Sequence, residues 1–348
     1  MPFQIIRNDI TKVKADAIVN TANPHPKIGG GTDSAVYKAA GAEQLLAERR
    51  KIGDIRPGDV AVTPAFALRA KYIIHTVGPS WRGGRHGERD ILQDCYRNSL
   101  LKAAELSCES IAFPLIATGV YGFPKDEALQ IALAEINRFL LKHEMLVILV
   151  VFDQKSFVLS EKLISGIDAF LEEHEVDALA DEEYGRTYAG ELRLENARSR
   201  RRQRVQILSM SLNEAAPSPT GPSGKSLEEF MNREEESFRE RLFRLIDERG
   251  LSDAEVYARA NLTRQYFSKI RNNPDYHPKK ATAFALSIAL ELDMKTMLDL
   301  LSRAGLTFSP SSRTDLIIEY FVTNGSYDTG QIDAALFHYG QPTLFSEE

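Results

Sequence analysis

Six short apolar runs, separated by polar or helical stretches, constrain the first half of this chain more than anything else in it. They are FQII (3–6), AIVN (17–20), VAVTPAF (60–66), YIIHTVG (72–78), SIAFPLIA (110–117) and MLVILVVF (145–152). Two of the intervals carry apolar residues at helical spacing, ERDILQDCYRNSLLKAAEL (88–106) and KDEALQIALAEINRFLLKH (125–143). A strand with one wet face alternates apolar and polar residues, whereas a near-continuous apolar run is buried on both faces. Residues 1–175 are therefore expected to form an α/β unit with helices on both sides of a sheet, a three-layer α/β/α sandwich.

The chain has 348 residues, more than one core usually holds, so a second domain is expected. Residues 176–225 are charged and finish in the cluster APSPTGPSGK, which reads as a partly disordered linker with a short helix in its first half. Residues 226–348 read as a smaller, all-helical domain with breaks at RGLSD, NNPDYHP and AGLTFSPSS. The formal net charge of −6 gives no whole-chain attraction to nucleic acid or anionic lipid. MLVILVVF, the longest apolar run, is too short to span a bilayer, and MPFQIIRNDI lacks the basic end and apolar core of a signal peptide. A cytoplasmic protein with no membrane partner is expected. Cys95 and Cys108 form no CxxC pair and read as buried thiols of a reducing compartment. No His/Cys/Asp cluster has metal-ligand spacing, so neither a metal nor a cofactor is expected.

Chemistry concentrates at two strand–glycine–helix junctions. In IGGGTDSAV (28–36) three glycines precede a helix whose first turn carries Asp33. A helix N-terminus leaves backbone N–H groups unpaired, and glycines let a phosphate approach them closely. The plainer alternative is a tight turn with Thr32 or Asp33 as a simple cap. A second junction, FPLIATGVYGFPKDEAL (113–129), repeats the arrangement, and two such loops in one sheet suggest a polyphosphate gripped from opposite sides. Neither GxGxxG nor GxxxxGK[ST] occurs, so a Rossmann dinucleotide site and a P-loop are not supported.

Taken in order, RNDITKVKADAIVNTAN, GGGTDSAVYKAAG, KYIIHTVGPSW and SIAFPLIATGVYGFP resemble a macrodomain over roughly the first 175 residues. That resemblance implies a mixed sheet and a cleft for ADP-ribose. It implies that Asp9 accepts a hydrogen bond from the adenine amino group, with Ile10 beside it and Phe152 packed near the ring. Gly29, Gly30 and Gly31, with Thr118, Gly119, Val120, Tyr121 and Gly122, would hold the diphosphate, and Phe123 would lie near the distal ribose. Hydrolytic MacroD-type members carry an Asn ten residues before an Asp. Asn23 and Asp33 stand at that spacing, implying that Asn23 fixes the distal ribose and Asp33 orients or activates a water. Asn8, Ile28, Thr32 and the PHP segment depart from the family pattern, which bears on loop closure and substrate choice. The activity implied is removal of mono-ADP-ribose from acidic side chains of proteins. The alternatives are deacetylation of O-acetyl-ADP-ribose and a reader that binds ADP-ribose or an ADP-ribosylated protein without cutting.

Among the remaining residues, His25 reads as a solvated loop histidine and His75 as a structural, hydrogen-bonded one. Trp81, Arg82 and Arg85 read as a surface loop that can border the cleft. In the helical half, Ser252 and Glu255 form a capping box. The segment SDAEVYARANLTRQYFSKIRNN is similar to the helix-turn-helix of XRE-type repressors, with the reading helix beginning at TRQYF. Between residues 259 and 280 six Lys and Arg face one acid, so Arg264, Lys269 and Arg271 are candidates for nucleic-acid contact. A protein-binding module is the alternative.

Overall fold

The computed structural model describes residues 2–152, 159–184, 236–274 and 276–344. Most of the expected linker and the start of the expected helical domain lie outside them. The element order is β1 (Phe3–Arg7), β2 (Ala17–Thr21), α1 (Thr32–Ala40), α2 (Ala42–Ile52), β3 (Val60–Pro64), β4 (Tyr72–Thr76), α3 (Glu88–Glu105), β5 (Ser110–Pro114), α4 (Lys125–Leu140) and β6 (Leu146–Val151). Helices α5 (Glu161–Tyr184), α6 (Phe238–Glu248), α7 (Asp253–Arg259), α8 (Arg264–Asn272), α9 (Lys280–Ala289), α10 (Met294–Ser302), α11 (Arg313–Thr323) and α12 (Thr329–His338) follow. A strand was expected in each of the six apolar runs, and each contains one.

The strands form one mixed sheet in the order β1-β6-β5-β2-β4-β3. Every neighbouring pair is parallel except β3–β4. In the four inner strands the apolar runs are continuous because both faces are covered, while the edge strands β1 and β3 are partly half-buried. On one face Ile18, Ile73, Ala112 and Ile148 pack with Val36, Tyr37 and Ala40 of α1 and Leu45 of α2. One residue along, Phe113 points the other way and meets Tyr96 of α3 at 5.3 Å. The three-layer α/β/α fold is thus present. Cys95 and Cys108 are buried, and burial pushes the Cys95 thiol up to about 11.

Contacts group the chain into two compact units that interleave in sequence. The first takes in residues 1–164, 257–264 and 328–348; the second takes in 165–256 and 265–327. Within the first, Asn261 meets edge strand β1 as a neighbouring strand would, its Oδ1 accepting from Phe3 N (2.8 Å) and its Nδ2 donating to Phe3 O (2.9 Å). Helix α12 packs on α4 closely enough that a Cβ on Gly330 would meet Asn137 Nδ2 at 3.2 Å and Leu133 Cδ2 at 3.3 Å. A linear reading of composition carries no information about such returns. Within the second unit the Ser252–Glu255 capping box is made in both directions. Helix α5 extends through Tyr184, into the segment where a short helix was expected. Among the described residues no helix is long and apolar enough to cross a membrane.

Candidate functional site

Five parallel strands end on the same side of the sheet, so the segments that follow β1, β6, β5, β2 and β4 come together along one edge. In an open α/β sheet this is where ligands bind. Asp9 follows β1, Phe152 follows β6, residues 115–123 follow β5, 22–31 follow β2 and 77–87 follow β4. The sheet order therefore lays out the sequence-derived residues in a row, with Asp9 and Phe152 at one end and Asn23 and Asp33 further along.

The first glycine loop is closed by Asp33. Its Oδ2 accepts from the Gly29 amide at 2.5 Å and its Oδ1 from Asn20 Nδ2 at 2.6 Å, and the residue is only 2% exposed. Gly31, at φ +61°, makes the entry into α1, a conformation that favours glycine. Asn23 Oδ1 accepts from the His25 amide at 3.2 Å, and the Asn23 carbonyl accepts from Arg49 Nη2 at 3.4 Å. Arg49 is 1% exposed and also donates to the Gly53 carbonyl at 2.7 Å. The PHP segment is held against the chain after α2 by Ile55 N to Pro24 O (2.9 Å) and His25 Nδ1 to Asp54 Oδ1 (3.0 Å). His25 itself is solvated, as expected.

The second glycine loop closes on its own backbone, through Gly122 N to Gly119 O and Phe123 N to Ala117 O, both 3.0 Å. Thr118 Oγ1 donates to Leu115 O at 3.0 Å. Trp81 is latched to this loop: its amide donates to Tyr121 O at 2.9 Å, and its ring meets the buried ring of Phe123 edge-on at 4.7 Å. The segment after β4 thus borders the second loop. Glu88, buried at the start of α3, organises that segment by accepting from the amides of Arg82 (3.0 Å), Gly84 (3.2 Å) and His86 (2.6 Å). Burial opposes ionisation there, but the backbone amides around it bring the Glu88 carboxyl down to about 2.

The two loops face each other. A Cβ on Gly30 would lie 4.0 Å from Val120 Cγ2, and Val120 is 87% exposed. Among the described residues the amides of Gly30, Gly31, Thr118, Gly119, Val120 and Tyr121 donate to no other residue. Free N–H groups at a helix N-terminus and a glycine turn suit an anion such as a phosphate. At the far end of the row, Asp9 Oδ1 accepts from Thr11 N (2.9 Å) and Thr11 Oγ1 (2.7 Å), capping a short 3-10 turn. The Thr11 hydroxyl, working against some burial, holds the Asp9 carboxyl below its usual range. Ile10 is buried and Phe152 is 77% exposed, an open apolar ring at the same end of the row as that carboxylate.

The electrostatics centre on Asp33. Burial raises its carboxyl pKa, and the Gly29 amide, Asn20 and the charge of Arg49 oppose that rise. Burial, then the Asp33 charge, raises the phenols of Tyr37 on α1 and Tyr121 in the second loop, so that loop feels the carboxylate of the first. Behind Asp33 a buried chain continues from Asn20 Nδ2 to His75 Nδ1 (3.1 Å) and from His75 Nε2 to Thr63 Oγ1 (2.9 Å). His75 is structural and hydrogen-bonded, as its place in a strand suggested. Asn20, Arg49, Thr63 and Glu88 were not expected. Asn20 left one signal, an amide closing the apolar run AIVN; Arg49 sits in a charged stretch, ERRKI, that gave no sign of burial.

The helical candidates divide between the two units. Arg264 belongs to the first and is exposed; Lys269 and Arg271 belong to the second. Both are exposed, and Arg271 also pairs with Asp253 and lies over the Phe243 ring at 4.3 Å. Among the described residues no group of three or more His, Cys, Asp or Glu could hold a metal ion.

A sequence model of the family described as Macro domain matches residues 19–132. A protein of Cronobacter sakazakii named O-acetyl-ADP-ribose deacetylase is 42% identical over 171 residues, which cover 48% of this chain and 95% of its own. An Escherichia coli protein of the same name is 43% identical over 168 residues, covering 47% of this chain and 95% of its own. A Macro domain-containing protein of Methanosarcina mazei is 43% identical over 167 residues, covering 47% and 89%. Among solved structures, an Oceanobacillus iheyensis macrodomain with ADP is 38% identical, with 44% of this chain and 85% of that chain covered and a TM-score of 0.43.

Proposed function

The chain belongs to the macro domain family, and from that premise we propose that its first unit binds ADP-ribose and hydrolyses a carboxylate ester carried on the distal ribose. One observation carries the reading: two glycine loops present unengaged amides across a narrow gap, with Asn23 and Asp33 beside the inner one. On this reading the adenine lies at Asp9, Ile10 and Phe152, the diphosphate lies on Gly29–Gly31 and Thr118–Gly122, and the distal ribose lies against Asn23, Asp33 and Phe123. The sheet order supports this layout, because β1 and β6 are neighbours at one edge and the two glycine loops leave the strands further in.

The reaction adds water across the ester, releasing a free carboxylate and returning a hydroxyl to the ribose. Asn23 would hold the ribose through its amide, while Asp33 would place the water and stabilise charge at the ribose. The acyl group is an acidic side chain of a modified protein in the main reading, and acetate in the second. The names of relatives 42% and 43% identical favour acetate. Both substrates are esters of the same alcohol, so one site serves for either.

The test is release of ADP-ribose from a target modified on Glu or Asp and from O-acetyl-ADP-ribose, with calorimetric binding of ADP-ribose alongside. The wild type is expected to release it. Asp33→Ala should lose about a hundredfold or more of the rate while still binding, the scale of a lost acid–base or water-positioning group. Tight binding without release would make the protein a reader. Absence of binding would remove the site assignment itself.

A further inference from the structure

Asn20 is a surprising residue for the place it occupies. It lies on β2 with 0% exposure, and its Oδ1 has no hydrogen-bond partner among the described residues. Such an orphaned acceptor loses its hydration without replacing it, a cost that an apolar residue in the same strand would avoid. Both hydrogens of its Nδ2 are nevertheless committed, one to Asp33 Oδ1 at 2.6 Å and one to His75 Nδ1 at 3.1 Å. Rotating the amide by half a turn would set its oxygen against the Asp33 carboxylate, whereas His75 can serve either orientation by its choice of tautomer. The donation to Asp33 therefore fixes the orientation, and the carbonyl is left unsatisfied.

His75 conforms to that orientation. To accept from Asn20 it must carry its proton on Nε2, which then donates to Thr63 Oγ1 at 2.9 Å. The ring is fully buried and burial, with Arg49, pushes its pKa down to about 3, so this neutral tautomer persists across ordinary pH. The chain Thr63–His75–Asn20–Asp33 crosses from β3 through β4 and β2 to the first turn of α1.

We propose that Asn20, seated on His75 and Thr63, is a positioning residue that holds Asp33 in its orientation and keeps it a carboxylate. The charged and titratable groups coupled to Asp33 are Arg49 on α2, Tyr37 on α1 and Tyr121 after β5, while the neutral His75 on β4 reaches it only through Asn20. Among the described residues of these elements and β2, only Asn20 has a side chain that donates directly to a carboxylate oxygen; the Gly29 amide serves the other oxygen. The inference rests on the proposed esterase only for its kinetic consequence.

The Asp33 carboxyl can be titrated directly by carbon-13 NMR, assigned by its loss in Asp33→Asn. In Asn20→Leu, which fills the same space without donors, its apparent pKa should rise by about one unit or more. His75→Leu leaves Asn20 in place but unseated, and should move it the same way by less. With O-acetyl-ADP-ribose as probe, the acid limb of kcat should shift upward together with the carboxyl, while ADP-ribose affinity stays within about threefold. A carboxyl that titrates unchanged in both variants overturns the proposal. Should the wild type bind ADP-ribose but turn nothing over, the esterase reading falls, and the NMR titration still decides the role of Asn20.

Discussion

The two glycine loops share one sequence signature and are built in opposite ways. After β2, the loop is held by buried polar and charged side chains: Asp33 on Gly29 and Asn20, and Arg49 on the carbonyls of Asn23 and Gly53. After β5, the loop is held by its own backbone and by aromatic packing of Phe123 against Trp81. The first arrangement places a carboxylate beside the anion-binding amides and must desolvate it to do so; the second places amides and no charge. A strand–glycine–helix pattern therefore tells where an anion can lie, not what chemistry stands next to it. Charge on the first loop also makes it the one whose integrity should depend on pH.

Breaking the first loop should have the larger effect. Arg49→Ala leaves two carbonyls without their charged donor and a buried carboxylate without a cation that acts on it, and should cost about 3 kcal/mol or more of stability in urea unfolding at pH 7. A loss below about 1 kcal/mol would mean that the loop stands without it. His75 gives the pH dependence. Its folded pKa near 3 lies below the 6.5 of a free imidazole, so below pH 6.5 the unfolded chain takes up a proton that the folded one refuses. The stability this group contributes is full above pH 6.5 and is lost as pH falls toward 3, at about 1.4 kcal/mol per unit. Comparing unfolding at about pH 7 and about pH 4.5, His75→Gln should lose less stability on acidification than the wild type, by about 2–3 kcal/mol. Equal slopes in the two proteins would sink this reading.

The second loop should respond to backbone geometry. Gly122 sits at φ +66°, so Gly122→Ala should cost about 1–2 kcal/mol with no change in the pH slope. Gly119 has open space where a Cβ would go, so Gly119→Ala should leave stability unchanged. If the diphosphate lies there, the methyl group should weaken ADP-ribose binding about tenfold, read by calorimetry. Unchanged affinity would move the ligand off this loop.

Much of the fold was legible because burial on both faces writes itself into a strand as a continuous apolar run, and six runs announced six strands. Asp33 was legible as a carboxylate in the first turn of a helix behind three glycines. Its environment was not. Asn20, His75 and Thr63 lie on three strands, with Asn20 and His75 55 positions apart in the chain. They meet because β2 pairs with β4, and β4 with β3, in register. Arg49 shows the same limit from the other side. In the sequence it is one charged residue among several in ERRKI, and only the packing of α2 against the loop after β2 turns it inward.

The sequence by itself determined the strands, the helices between them and the two glycine junctions, because each is a local matter of periodicity and backbone freedom. The tertiary structure decided which polar groups stand behind Asp33, and that residues 257–264 and 328–348 return to the α/β unit. The physical reason is that burial and hydrogen-bond partnership are properties of neighbours in space. Strand pairing and helix packing choose those neighbours, and no local pattern along the chain records the choice.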